Sequence, residues 1–391
     1  KILNRYQAVD ELSYNLGDVV DRLISVQYFL SGGGSALTQK PVTGVLYEAA
    51  REKAGAPLSY LAARALADNV TRGDTVIITT GLIAPPYMVA EGDGPIAAAT
   101  LARALDVGLD ATPIVVCEAV VVKAMEALCQ AAGLMPSPPE LALGTPRKVI
   151  ILPFPLDEQL ARGAALRLFD EFKPKVVVAI EKLSKNVKGV YHNGFGIDVS
   201  AVQAKVDHLF DIARERGIPT IGVGDGGNEI GTACIADTVR QIVPTGAKCG
   251  CPCGSGIAAA TPADYCVFGS KSNYGGFAIE ACLAAGLDRP EVLHSEIVGR
   301  RVYEAGASMG LVDPFTGLAF GWDEFPAEKN VNELVTNLIR YMLSVRVVPR
   351  WYQDSIMGPS QKWINQRAFA EQLVARWGKS LVASDAERFR K

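Results

Sequence analysis

Short apolar runs rich in β-branched residues recur along this chain at helix-length intervals, and that rhythm constrains its fold more than any other feature. The runs are Thr75–Thr80, Pro113–Cys117, Lys148–Leu152, Lys175–Ile180, Thr220–Val223 and Tyr265–Phe268. They are continuously apolar rather than alternating, as expected of strands covered on both faces. Between them Pro95–Leu105, Val122–Ala132, Asp157–Phe172, Val202–Arg216 and Phe277–Ala285 carry helical spacing. Such alternation calls for right-handed crossovers and a mainly parallel sheet. The expected fold class is α/β, a Rossmann-like three-layer arrangement with the sheet between helices. Residues 1–73 read as a helical segment packed on it, with helices over Asp18–Phe29 and Gly44–Asn69 and a loop at Ser31–Ser35. Residues 74–327 form the expected main domain and 328–391 a helical extension.

The 391 residues supply a core that needs no disulfide staples. A formal net charge of −3 and no run of Lys or Arg give no reason to expect nucleic acid as a partner. The longest apolar runs fall far short of the roughly 20 residues of a membrane span. The eight cysteines are read as reduced thiols in a reducing compartment, cytoplasmic or the mitochondrial matrix. The sequence begins at Lys1, so upstream residues are expected to have been removed, and targeting information with them. Trp351, Trp363 and Trp377 in the last segment suggest packing on a neighbouring subunit, a homo-oligomer, or a docked tail.

Four polar, glycine-rich segments follow these strands, where open parallel sheets bind ligands. The densest is Gly224-Asp225-Gly226-Gly227-Asn228-Glu229, whose glycines allow positive φ and close backbone approach. Asp225 and Glu229 suit a hard cation, Mn²⁺ or Mg²⁺, or proton transfer. The bland alternative is a tight turn with Asp225 as a helix N-cap. A second segment starts Glu181-Lys182 and runs through Tyr191-His192-Asn193 to Asp198. Its alternatives are a carboxylate entering the cleft or a surface ion pair, and a structural or a catalytic histidine. In the third, Glu91-Gly92-Asp93-Gly94-Pro95, the acids favour the positive end of the following helix, or Glu91 and Asp93 join the other carboxylates above the sheet. The fourth is read as a loop, Lys271–Gly276, whose helix N-terminus could hold a substrate carboxylate. Four such segments together favour a catalytic cleft. Cys249-Gly250-Cys251-Pro252-Cys253 could ligate zinc or an iron–sulfur cluster or act in redox exchange. It lacks paired Cys-x-x-Cys units and a readable fourth ligand, with Cys234 or Cys266 reaching it only by folding back, so a non-metal loop is favoured. No Walker-type phosphate loop or nucleophile elbow stands out, and no nucleotide cofactor is expected.

Taken together, Glu181-Lys182, Gly189-Val190-Tyr191-His192-Asn193, Gly224–Gly231, Ser272–Gly276 and Glu91–Pro95 resemble the D-glutamate cyclase family, over roughly residues 40–345. That family shows Glu-Arg, Gly-x-Tyr-x-Asn, Gly-Asp-Gly-Gly-Asn-Glu-(Leu/Ile)-Gly, Ser-Asn-Trp-Gly-Gly and Glu-x-Asp-Gly-Pro. Lys182 and Tyr274 depart from it, and the Cys249–Cys253 stretch has no counterpart. Animal members carry a further amino-terminal domain that this sequence does not include. The resemblance implies a lyase that interconverts D-glutamate and 5-oxo-D-proline. Asp225 and Glu229 would do metal or acid/base work, Glu181 would act as a second base or near the metal, and Lys182 would balance charge. Tyr191, Asn193, Gly226, Gly227, Asn228, Ser272 and Asn273 would bind substrate, and Asp225, Glu229, Glu91 and Asp93 would hold the metal. A lactam hydrolase or racemase, a non-catalytic carboxylate binder and a cysteine-based redox or cluster protein are the alternatives.

Overall fold

The computed structural model describes residues 2–26, 42–85, 87–314, 317–319, 321–322, 325–326, 331–344 and 371–378. Along the chain come α1 (Ile2–Ile24), α2 (Thr43–Ala54), α3 (Leu58–Asn69), β1 (Thr75–Thr80), the short hairpin β2 (Ile83–Ala84) and β3 (Val89–Ala90), α4 (Pro95–Leu109) and β4 (Thr112–Cys117). There follow α5 (Val122–Ala132), β5 (Met135–Pro136), α6 (Pro139–Ala142), β6 (Lys148–Pro153), α7 (Glu158–Phe172) and β7 (Val176–Ile180). The remainder that matters here is α8 (Asp207–Glu215), β8 (Thr220–Gly224), α9 (Ala236–Ile242), β9 (Tyr265–Phe268), α10 (Ser272–Leu287), α11 (Glu296–Ser308) and α12 (Val331–Ser344).

Seven strands form one sheet in the order β5-β6-β4-β1-β7-β8-β9, with every pair parallel. Successive strand residues point to opposite faces. Val76, Ile78, Val176, Val178 and Ile180 join the core under α1–α5 and α10–α12. Ile77, Val177 and Ala179 join a smaller core under α7 and α8. These residues are wholly or almost wholly buried, and each such Val or Ile contributes about 1.5–3 kcal/mol of hydrophobic stabilisation. This is the three-layer α/β fold that the alternating runs imply. The chain lays β4, then the edge strand β5, then β6 between them on one side of β1, and returns to place β7 on the other. The crevice above β1 and β7 is thus the point where strand order reverses, the usual ligand position in open α/β sheets.

Three details differ from the sequence expectations. The edge strand β5 was not anticipated, because two residues with a proline carry no readable period. The segment expected to run as one helix from Gly44 to Asn69 is two, because Gly55 takes a left-handed φ of 72° and Pro57 precedes α3. Lys271–Gly276 is not a loop: from Ser272 onward it is the first turns of α10. Its glycines are there for packing. A Cβ on Gly275 would lie 2.5 Å from Val223 Cγ1, and one on Gly276 2.6 Å from Ala97 Cβ. Ser31–Ser35, Trp351 and Trp363 lie outside the described residues. Trp377 lies in the described helix 371–378, where its ring sits under Lys148 Nζ at 4.1 Å. No described helix is long and apolar enough to cross a membrane.

The amino-terminal helices are pinned by Asp21, buried beneath α3, which accepts hydrogen bonds from the backbone N–H groups of Leu58 (2.5 Å) and Ser59 (3.3 Å). Burial pushes its pKa from 3.8 up to about 6, against the opposing pull of Ser59 and Leu58. A folded-state pKa above the unfolded one means that this carboxyl's contribution is full below about pH 3.8 and is lost as the pH rises through about 6. Asp21→Asn is expected to remove about 1–3 kcal/mol of pH-dependent stability across that window. Urea midpoints at pH 4 and pH 7 check this; an unchanged difference would refute it.

Candidate active site

The loops after β1, β7 and β8 meet over the switch point. Carboxylate oxygens of Asp93, Glu181 and Asp225 lie within 4.8 Å of one another. Asp93 and Glu181 are buried and Asp225 is half-buried. Ser272, the first residue of α10, ties the first two together. Its N–H donates to Asp93 Oδ2 at 3.0 Å and its hydroxyl to Glu181 Oε2 at 2.5 Å. Glu181 has a φ of 45°, a left-handed conformation that costs a non-glycine residue of order 1–3 kcal/mol and concentrates at functional sites.

The helix N-termini are capped crosswise. Asp93 serves both helices: its Oδ1 accepts from Gly94 N–H (3.0 Å) at the start of α4, as its sequence position suggests, and it also accepts from the N–H groups of Ser272 and Asn273 (2.7 Å) at the start of α10. Asn273 Oδ1 in turn accepts from Gly94 (3.0 Å) and Ala97 (2.9 Å) at the start of α4. The carboxylate cradle expected at α10 therefore holds the protein's own Asp93. Between the two caps, Gly94 has a φ of 88°, and a Cβ there would lie 2.6 Å from Glu181 Cβ and 2.8 Å from Thr80 Oγ1. Gly94→Ala is expected to cost about 2–4 kcal/mol through a forced left-handed φ and overpacking. A chemical-denaturation midpoint equal to wild type would rule this out.

Glu229 folds back over its own turn, where Oε1 accepts from Gly226 N–H at 2.8 Å and Oε2 from Gly227 N–H at 2.9 Å. Burial pushes its pKa up, against those backbone donors and a hydrogen bond with Asp225. The turn's amides are thus spent on Glu229, and Asn228 Nδ2 donates to His192 O at 2.9 Å. Glu91 is buried, and its backbone bridges to Val312.

Three other candidates stand outside the carboxylate group. Lys182 is fully buried and turned to Glu118 Oε1 (2.5 Å) and Gly81 O (2.6 Å), so it makes no surface pair. Tyr191 donates to Asp207 Oδ2 at 2.5 Å. Burial and the Asp207 charge both raise the Tyr191 pKa. Asn193 Oδ1 accepts from Phe195 (3.1 Å) and Ile197 (3.0 Å), closing its own loop. Glu118 is the residue that sequence reading missed. It directly follows the strand run Pro113–Cys117, a strand-end position that was the only available signal.

The fold is thus a three-layer α/β protein whose all-parallel main sheet gathers three carboxylates at its switch point. The chain belongs to the D-glutamate cyclase-like, C-terminal family, which it matches over residues 34–339. It is also similar to the human protein D-glutamate cyclase, mitochondrial, being 33% identical over 108 residues, which is 27% of this chain and 16% of that protein.

Proposed function

We propose that this chain interconverts D-glutamate and 5-oxo-D-proline. The observation that carries the reading is the convergence of Asp93, Glu181 and Asp225 at the switch point, with Glu181 held in a strained conformation. Family membership supports the same substrate class. In ring closure the substrate nitrogen attacks the γ-carboxyl carbon, a C–N bond forms, and one C–O bond breaks to release water. The ammonium group gives up two protons and the departing oxygen takes up two, so the enzyme must relay protons without net gain.

Asp225 and Glu229 share a hydrogen bond, and burial favours a proton on Glu229. In this reading Asp225 accepts protons from the substrate ammonium while Glu229 delivers protons to the substrate oxygen that leaves as water. Ser272 keeps the Glu181 carboxylate aimed at the cleft through its 2.5 Å bond. The donor set Asp93, Glu181 and Asp225 is all oxygen, which fits Mg²⁺ or Mn²⁺. A cation held there would neutralise the γ-carboxylate and make its carbon electrophilic.

The test is a panel of D- and L-glutamate, D- and L-5-oxoproline and other lactams, followed by chiral chromatography with and without Mn²⁺. Interconversion confined to the D-glutamate pair is expected. Thermal stabilisation by these compounds with no product would replace this reading with a non-catalytic carboxylate binder. Turnover only of other lactams would replace it with a lactam hydrolase.

A further inference from the structure

A second cluster lies beside the turn that carries Asp225. His192, from the loop after β7, meets Cys249, Cys251 and Cys253, from the loop between α9 and β9, with all four ligand atoms within 4.8 Å. Cys249 Sγ is 3.4 Å from Cys251 Sγ and 3.3 Å from Cys253 Sγ. His192 Nε2 is 3.2 Å from Cys251 Sγ and 3.6 Å from Cys253 Sγ. We infer that these four residues form a Zn²⁺ site, separate from the carboxylate cluster, that clamps the two loops together.

The geometry fits tetrahedral zinc. Bonds of about 2.3 Å to sulfur and about 2.0 Å to nitrogen place tetrahedral ligand atoms about 3.5–3.8 Å apart. The observed separations need shifts of only a few tenths of an ångström, yet are far longer than a disulfide bond of about 2.04 Å. Three thiolates and one imidazole are soft and borderline donors, which select zinc over the hard cations suited to the carboxylates. His192 and Cys249 are buried, while Cys251 and Cys253 are half-buried and leave an entry side.

The loop is shaped in advance. Gly254 and Gly256 take positive φ values of 62° and 71°. Gly254 N–H donates to Cys251 O at 3.2 Å, and Ile257 N–H to Thr245 O at 3.0 Å. Asn186 Nδ2 reaches Cys253 Sγ at 3.4 Å and Gly256 O at 2.8 Å, a neighbour that stabilises a thiolate and fixes the loop. Sequence spacing concealed the site because the fourth ligand is not a cysteine and lies 59 residues before Cys251.

Both loops touch the catalytic turn. Asn228 Nδ2 donates to His192 O at 2.9 Å, and Ala259 N–H donates to Gly227 O at 3.1 Å. Zinc would thus hold the wall behind Asp225 without touching substrate, so His192 and the three cysteines are positioning residues. The inference does not depend on which reaction the cleft performs.

The full chain, purified untagged under reducing conditions, is expected to carry one zinc per chain by elemental analysis. Cobalt substitution should give the intense visible bands and thiolate-to-metal charge transfer of a tetrahedral sulfur–nitrogen site. Cys251→Ser and His192→Ala should lose zinc, whereas Asp93→Asn should retain it. Asn186→Ala should weaken zinc by about 10–100-fold in a chelator competition. Zinc should also protect these thiols from alkylation in the wild-type protein, which decides the matter if a variant fails to fold. Reduced wild-type protein that takes up no zinc, an octahedral cobalt spectrum, or zinc retained in Cys251→Ser would each overturn the inference.

Discussion

Truncating Glu118 to alanine is expected to destabilise the protein by about 3–5 kcal/mol, read as a lower urea midpoint with an unchanged slope. Lys182 and Glu118 side chains are 0% and 2% exposed, so neither charge reaches water. Glu118 Oε1 lies 2.5 Å from Lys182 Nζ and also accepts from Ala204 N–H at 2.7 Å. Gly81 O takes a second hydrogen bond from Lys182 at 2.6 Å. One ion pair therefore joins the ends of β1, β4 and β7 to the segment leading into α8. Removing the carboxylate strands an ammonium in the core, and that penalty far exceeds the net worth of the pair. The double variant Glu118→Leu, Lys182→Met should recover most of the loss in stability. It should still impair activity, because Lys182 anchors the backbone beside Glu181 and its φ of 45°. A Glu118→Ala protein as stable as wild type would sink this account of the junction.

Asp225→Asn is expected to lower turnover of D-glutamate by about 10²–10⁴-fold while leaving the urea midpoint near wild type. The substitution is nearly isosteric, and Asp225 is half-buried at the rim of the turn, so little packing is lost. It removes a carboxylate from the Asp93–Glu181–Asp225 group and an ionisable partner from Glu229. A matching loss in Glu181→Gln, with Glu229→Gln altering the pH profile, would place all three in one proton-handling unit. Near-normal kcat in Asp225→Asn, with intact circular dichroism, would rule out its role in acid/base or metal chemistry. Gly227→Ala makes a useful contrast. A Cβ there would lie 2.5 Å from Val239 Cγ2, so its defect should appear in stability as well as rate.

Some of this was legible without coordinates. Continuous apolar runs such as Val176–Ile180 identify strands buried on both faces, because burial on two sides removes the alternation a half-exposed strand shows. The run of small and polar residues after Val223 marks a strand-end turn for an equally local reason: glycine there permits φ values closed to other residues. The family pattern rests on the same short segments. The partners of those segments were not legible. Lys182 follows Glu181 in sequence, which invites reading the two as a cleft pair, yet its partner is 64 residues away. Asp93 precedes α4 and accepts from Gly94 N–H at its start, yet it also caps α10, 179 residues on. Ser272–Gly276 has a loop's composition, and only the close approach of Val223 and Ala97 explains its glycines within a helix.

The sequence by itself determined the α/β alternation, the strand positions and which residue types stand at strand ends, because periodicity and turn chemistry are properties of neighbouring residues. Tertiary structure alone decided the reversal of strand order between β1 and β7, and with it which strand ends share a crevice. It also decided that Asp93, Glu181 and Asp225 meet there, that Lys182 turns inward to Glu118, and that His192 joins three distant cysteines. Those outcomes depend on how crossovers place elements far apart in the chain, and loop closure costs too little per added residue for sequence distance to foretell them.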